Sequence, residues 1–595
     1  MKTENTENKN HNFDLIAPSI VPWMFLVFII ICMVQSHQPY HLDNLDFPVA
    51  SQTTAEKGIP IYYRGEENPE HSGLYHPPLY IYLLGGWYKA VGVSPVATRA
   101  FGIICVFLQG ILTLVVFRKL FGRVFVKEIE PYFWAVFLFN PYTIAISSIA
   151  DIDSTIYGPL MLLIVDRTLA AVWIDGKLRN EKIGYWEIGT LAGALALGLW
   201  AKLTTILLLF PFVILIWFKF KEPVSSLIKA VLALIMGVGL FYYSYKIFGL
   251  LLNLNTNYTF EFLAYSIKNR GSSGGSGLSS RLNDFWNNFV INVPFTLMWT
   301  GILTVVGIVG SNFFSVIECF RVEKKKAIHY LLLVGLALFV VFYYWGQIRP
   351  FGGSPQKYHF VFWGILQIPL VTLILCHSPW SFQPSSLLEK KISISISIFA
   401  AVIGLFFVQD RLIMGKSIVE LLSMTSLCVV VATVVTLILK YRGQMLGPFL
   451  ATVIRLSVII NFGFYAGIGC SLGTKEYPIN YNYGQLGMIE ASEYVKSRTS
   501  KDDYIISMKD FGYLTKRKYY ENYSALYDNP TADKMREYLK SGHVRFAVFT
   551  KKIGEDQIEA YPYLKNQIES AAVLVAEFEN YQIYESKKYF EKKNN

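Results

Sequence analysis

Asp43 and Asp46 stand three residues apart in the run His41-Leu-Asp43-Asn-Leu-Asp46-Phe-Pro48, just past the first strongly apolar stretch of the chain. A carboxylate held near a low-dielectric surface has a raised pKa, and a raised pKa suits a general base. Such a base can take the proton from an acceptor hydroxyl or amine as that group attacks the anomeric carbon of a sugar. A solvated loop acid has the same residue type, so spacing alone does not separate the two. A second acidic pair, Asp151 and Asp153, stands in Ser147-Ser-Ile-Ala-Asp151-Ile-Asp153-Ser-Thr155 at the end of another apolar run. Burying charge there is costly. The pair can bind an acceptor, support the base or hold a divalent metal, although a hard cation takes about six oxygens. A polar turn between two spans is the plainer alternative.

Cations fall on the same side of the sequence pattern: Arg64, Arg99, Lys202, Arg349 and Lys357. A departing phosphate needs its growing negative charge met by fixed donors. Arg suits bidentate contact with phosphate oxygens. Lys202 is the sharpest of the five, because it sits in a short turn between two apolar runs, in Gly198-Leu-Trp200-Ala-Lys202-Leu-Thr204. A snorkelling interfacial lysine would occupy the same place. Tyr358 and His359 follow Lys357 and can add hydrogen bonds. His76, in His76-Pro-Pro-Leu-Tyr80, can contact substrate, although two prolines opening a helix also explain the segment.

The elements that must position these residues are set by composition. Of 595 residues, 53% are hydrophobic and 16% charged, against about 45–50% and about 25% in soluble domains. Lipid is therefore the main solvent of this chain. The net charge of +11 comes from Lys and Arg in short loops between apolar runs, with no separate basic domain, which argues against nucleic acid. The six cysteines lie in or beside apolar runs, so neither a disulfide framework nor a paired-cysteine zinc site is expected. A span needs about 20 mostly apolar residues. Thirteen are predicted: 17–35, 96–117, 132–150, 155–174, 184–201, 203–218, 228–249, 291–317, 327–346, 358–376, 392–408, 416–439 and 446–470. The first has no small-residue cleavage site after it and reads as a retained span.

Basic loop residues orient the bundle. Lys and Arg crowd the loops at 118–127, 177–182, 219–221, 321–326, 390–391 and 440–442, which places those loops and the tail 1–16 in the cytoplasm. An odd number of spans then puts residues 475–595 outside. The membrane domain is 17–474, with a long first outer loop at 36–95. Within that loop, an amphipathic stretch near 47–58 and the aromatic-rich Pro77–Val91 suit a helix lying at the interface. Another outer segment, 250–290, contains the flexible Gly271–Ser280 tract. From Lys475 the pattern becomes that of a small α/β domain. Helical spacing occurs at Met488–Val495 and Ala532–Leu539, strand-like runs occur at 503–507 and 545–549, and a hairpin is expected at 573–584.

Taken together, a carboxylate after the first span, the loop motif His76-Pro-Pro-Leu-Tyr80, and Gly86-Trp-Tyr-Lys-Ala-Val-Gly92 leading to Ala97-Thr-Arg99 resemble the GT-C glycosyltransferases. The branch is similar to protein O-mannosyltransferases and the lipid A aminoarabinose transferases. Phe139-Asn-Pro141 ahead of Asp151, the run Gly198-Leu-Trp-Ala-Lys202, and small residues Gly193 and Gly198 suited to close helix packing fit that pattern, as does Lys357-Tyr358 before a span. The resemblance implies a polytopic α-helical membrane fold and transfer of a sugar from a polyprenyl-phosphate donor, usually with inversion, on the non-cytoplasmic face. The acceptor would be a protein, a lipid or a glycan. Asp46 aligns best with the family's base and Asp43 is second, because the usual Asp-Glu doublet is missing. Asp151 or Asp153 would match the second acidic site, and Lys357-Tyr358 stands where the family often has Arg-Tyr. Membrane lipid is the expected partner and nucleic acid is not. No cofactor is required beyond an optional divalent metal. The expected location is the plasma membrane, or the endoplasmic reticulum membrane in a eukaryote.

Other classes fit parts of the pattern. A transporter or flippase of lipid-linked or polar substrate suits thirteen spans, but it would place charges near the bilayer midplane and often carries repeats. A polysaccharide polymerase or ligase would carry its large outer loop late in the bundle.

Overall fold

The computed structural model describes residues 21–35, 46–60, 74–138, most of 143–270, and 487–594 apart from short breaks. The six spans predicted between 291 and 470, and the 271–280 tract, lie outside the described residues.

The membrane part opens with α1 (Val21–Gln35), α2 (Asp46–Lys57) and α3 (Leu79–Val91). The prolines at 77 and 78 open α3, and Gly92, at φ 90°, ends it. Next is α4 (Pro95–Phe121), whose N-cap Ser94 accepts a hydrogen bond from the Ala97 N–H at 3.0 Å. Its 27 residues extend about 40 Å, enough to cross a hydrocarbon core of about 30 Å. After α5 (Arg123–Leu138) and α6 (Tyr157–Ala170) come α7 (Tyr185–Ala201), the long α8 (Pro223–Leu252) and α9 (Asn257–Arg270). Neighbours along the bundle pack in the order α4, α6, α7, α8, with α2 laid against α3.

Two predicted spans end elsewhere. The one expected from 132 starts at Arg123, because Gly122, at φ 92°, closes α4 and the Asp175 carboxylate accepts from the Arg123 N–H at 2.8 Å. The one expected to reach 174 stops at Ala170. Trp173–Ile174 (β1) and Lys177–Leu178 (β2) pair instead as a hairpin. Asp175 and Gly176 turn it, both at positive φ, as a two-residue hairpin turn requires. Gly193 has open space where a Cβ would go. The close α7–α8 approach falls to Gly237, whose Cβ would lie 3.0 Å from the Ala192 carbonyl oxygen.

The basic loop residues at the hairpin end do structural work. Lys119 and Arg167 both pair with the buried Asp166. Arg179 pairs with Glu187 at 3.1 Å, and Trp217 donates to the Thr168 carbonyl at 3.0 Å.

Residues 487–594 form a mixed sheet with helices on both faces. In chain order the elements are α10 (Met488–Ser497), β3 (Tyr504–Ser507), α11 (Lys509–Thr515), β4 (Lys518–Glu521), α12 (Asn529–Ser541), β5 (Val544–Thr550), α13 (Pro562–Ala571), β6 (Ala572–Phe578), β7 (Tyr581–Ser586) and α14 (Lys587–Asn594). Strand order is β4-β3-β5-β7-β6, with β4, β3 and β5 parallel and β7 antiparallel to both its neighbours. Side chains alternate across the sheet. Ile505, Phe546 and Val548 meet α10 and α11, while Ile506, Ala547 and Phe549 meet α12 and α13. Asn522, in the sequon Asn522-Tyr-Ser524, is fully buried and donates to the Val548 carbonyl at 3.0 Å, which removes it as a glycan acceptor in the folded protein.

Candidate functional site

Asp46 is the first residue of α2. The four residues Ser51 to Thr54 are all polar and all buried. The Thr53 and Thr54 hydroxyls bond back to the Ala50 carbonyl, at 2.9 and 2.8 Å. Gln52 is fully buried, and neither its amide oxygen nor its nitrogen finds a hydrogen-bond partner among the described residues. The helix seats on α3 at Gly85, where a Cβ would stand 3.1 Å from the Ser51 carbonyl oxygen and the Thr54 side chain. Tyr82, on α3, donates to the Gly58 carbonyl at 2.9 Å just beyond the end of α2. Burial pushes the Tyr82 hydroxyl up to about 12, so it stays a donor at any working pH.

His76 lies at the entry to α3. Its ring stacks on Phe47, the neighbour of Asp46, with centroids 6.2 Å apart, and meets Phe262 of α9 edge-on. The Thr259 hydroxyl of α9 donates to the Leu74 carbonyl at 2.7 Å, which fixes the same entry from the other side. This buried role also accounts for Thr259 in Asn257-Tyr-Thr259, the other such sequon of the chain.

Arg99 sits in the second turn of α4 and is 1% exposed. Trp87 donates to the Ala97 carbonyl at 2.7 Å, and the Tyr88 hydroxyl meets Thr98 Oγ1 at 2.5 Å. These two bonds fix the α3–α4 elbow over the two residues that precede Arg99. Three residues on, a Cβ on Gly102 would lie 2.6 Å from the Ser147 carbonyl oxygen. The chain leading to Asp151 therefore runs directly against α4.

Asp151 is buried, in a turn closed by the Thr155 hydroxyl on the Asp151 carbonyl at 2.5 Å and by the Tyr157 N–H on the Ile152 carbonyl at 3.0 Å. Lys202, also buried, follows the last residue of α7, and its ammonium lies 5.7 Å from the centre of the Tyr157 ring at the start of α6. Cation and π face attract at this range.

One apolar cluster joins these pieces. Tyr80, Ala97, Ile152, Tyr157 and Ala201 belong to it, and Phe47 packs on its rim. Ala150 packs in a second apolar cluster with Val49 and Ala50 of α2, Gly102 of α4 closes on Ser147, and Lys202 reaches Tyr157, so the backbone bearing Arg99, Asp151 and Lys202 meets at the end of the bundle where α2 lies. Charges are buried there at a cost of several kcal/mol each. Asp43, Arg64, Asp153, Arg349, Lys357 and Tyr358 lie outside the described residues, as does Phe139-Asn-Pro141. Among the described residues, no three His, Cys, Asp or Glu side chains come together as a metal site.

The sequence did not point to Gln52, Tyr88, Thr98, Tyr157 or Tyr513. For Gln52 a signal existed, because four polar residues in a row on a short helix between apolar runs suit burial only when something polar is to be met.

No family model matches the chain, and no curated protein matches it in sequence. Solved structures share its fold, among them two crystal structures of one protein. ArnT from Cupriavidus metallidurans bound to undecaprenyl phosphate superposes with TM-score 0.58 at 14% identity, over 96% of this chain and 98% of that one. The same protein in the apo state gives TM-score 0.56 at 14% identity, over 95% and 98%. The chain thus shares the fold of those two structures over almost its whole length.

Proposed function

We propose that this chain is a membrane glycosyltransferase that moves a sugar from a polyprenyl-phosphate carrier to a protein, lipid or glycan acceptor on the non-cytoplasmic face. The observation that carries the reading is the placement of buried Arg99, Asp151 and Lys202 on neighbouring segments at the end of the bundle where α2 lies. This occurs in a fold whose solved neighbour holds undecaprenyl phosphate. Asp46, or in second place Asp43, takes the proton from the acceptor. The acceptor oxygen or nitrogen attacks the anomeric carbon, the bond from that carbon to the phosphate oxygen breaks, and polyprenyl phosphate leaves with the electron pair. Arg64, Arg99, Lys202, Arg349, Lys357 and Tyr358 receive the phosphate charge. His76, Asp151 and Asp153 hold the acceptor, and chelation of divalent cations separates that role from metal binding by the two acids. Thirteen spans, with 1–16 cytoplasmic and 475–595 outside a plasma membrane, complete the reading. Nothing observed favours the transport alternative.

The test incubates purified protein with radiolabelled polyprenyl-phosphate sugars and candidate acceptors. Asp46→Asn is expected to abolish transfer while donor binding stays measurable. Full transfer by that variant removes Asp46 from the mechanism.

A further inference from the structure

Tyr513 comes from α11, far in sequence from every described site residue. In that seven-residue helix Phe511 and Tyr513 are two positions apart, about 200° around the axis. Phe511 therefore enters the sheet core, and Tyr513 leaves on the opposite side. There it is 2% exposed, packed in one cluster with Val49 and Ala50 of α2, Ile81 of α3, and Ala150. Its hydroxyl lies 3.2 Å from the Tyr88 hydroxyl and 3.2 Å from Thr98 Oγ1, closing a buried triangle with the 2.5 Å bond between those two.

Four of these residues stand close in the chain to a site residue. Val49 and Ala50 lie one turn along α2 from Asp46, Ala150 precedes Asp151, and Thr98 precedes Arg99. One side chain from the unit at 487–594 thus contacts the segment of Arg99 through its hydroxyl and shares a buried cluster with the segments of Asp46 and Asp151. A displacement of about 1 Å in a reacting group can cost about a hundredfold in rate.

We propose that Tyr513 is a positioning residue through which the C-terminal α/β unit holds the segments bearing Asp46, Arg99 and Asp151 in register. The inference rests on the sugar-transfer reading, and it makes residues 487–594 part of the catalytic assembly rather than an appendage. The ring packs in the cluster that α2 shares with Ala150, and the hydroxyl ties that cluster to the α3–α4 elbow. Tyr513 touches neither donor nor acceptor.

The experiment compares full-length wild type, Tyr513→Phe and Tyr513→Ala. Turnover is referred to moles of undecaprenyl-phosphate-binding sites, so that misfolded protein is not counted. Hydrogen exchange is followed in peptides covering 46–57 and 147–157. Tyr513→Ala is expected to lower kcat at least about tenfold with donor KM within about threefold, and Tyr513→Phe to recover most of that loss. Exchange in both peptides rises in the alanine variant and stays near wild type in the phenylalanine variant. If the alanine variant does not fold, a kcat reduced about threefold in Tyr513→Phe carries the test. A kcat per site within about twofold of wild type in both variants overturns the proposal, as does a loss confined to KM. Wild type that transfers no sugar ends the functional reading instead, and the exchange data then decide alone whether Tyr513 holds α2.

Discussion

The Lys202 ammonium lies 5.7 Å from the centre of the Tyr157 ring, so the end of α7 and the start of α6 present one cation and one π face to the same space. Ala201 and Tyr157 belong to a single apolar cluster, which holds both backbones while the charge stays buried. A charge-assisted hydrogen bond to phosphate is worth about 1.5–3 kcal/mol. Lys202→Gln is therefore expected to weaken binding of undecaprenyl phosphate by roughly ten- to a hundredfold. Competition against labelled donor measures it, and unchanged affinity removes Lys202 from the phosphate site.

At the other end of the bundle, Asp166 is 1% exposed and pairs with Lys119 and Arg167. Removing one partner of a buried pair leaves uncompensated charge at a cost of about 3–5 kcal/mol. Arg167 is more than a third exposed and loses little, so Lys119 accounts for most of the penalty. Asp166→Asn is expected to lower the melting temperature by several degrees with donor affinity unchanged. The double variant Lys119→Met, Asp166→Leu is expected to recover much of the loss. If the double variant melts as low as the single one, stranded charge is not the cause.

Local signals were legible where one element carried them. The prolines at 77 and 78 and Gly92 frame α3 within two residues of the Pro77–Val91 reading, and α2 covers 46–57 against 47–58. The hairpin at 173–178 was hidden because Trp173 and Ile174 continue an apolar run, although Asp175-Gly176 is itself a turn signal. Gly193 and Gly237 look alike in sequence, and only helix rotation tells which one faces a neighbour. Arg99, Asp151 and Lys202 were found by type and placement. Tyr513 was not, since its meeting with Tyr88 spans 425 positions and exists only once distant parts of the chain pack together.

Tyr584 of β7 is buried against Phe549, and its hydroxyl pKa is raised by that burial first, then by the charges of Glu569, Glu559 and Glu577. A tyrosine in the unfolded chain ionises near 10. Between that value and the higher folded one, the folded state holds the extra proton, so stability is whole below about pH 10 and falls as pH rises beyond it. Hydrogen exchange in β5 and β7, corrected for intrinsic rates, is expected to show protection declining above that pH in wild type. Tyr584→Phe should flatten the decline. An equal decline in both proteins assigns the alkaline loss to other groups.

Gln52 is fully buried on α2 with both amide atoms unpaired among the described residues, although its backbone lies only six residues from Asp46. An unpaired buried polar group costs about 1–3 kcal/mol. Such strain is kept where function uses it. An amide offers one acceptor and two donors, which suits vicinal sugar hydroxyls. Gln52→Leu keeps the volume and removes the penalty, so its melting temperature is expected to rise by a few degrees. The same change should lower kcat/KM for sugar transfer about tenfold or more, because the hydroxyls then lose their partner. Stability and transfer would move in opposite directions in one variant. A Gln52→Leu protein that is more stable and equally active shows that the amide meets no substrate.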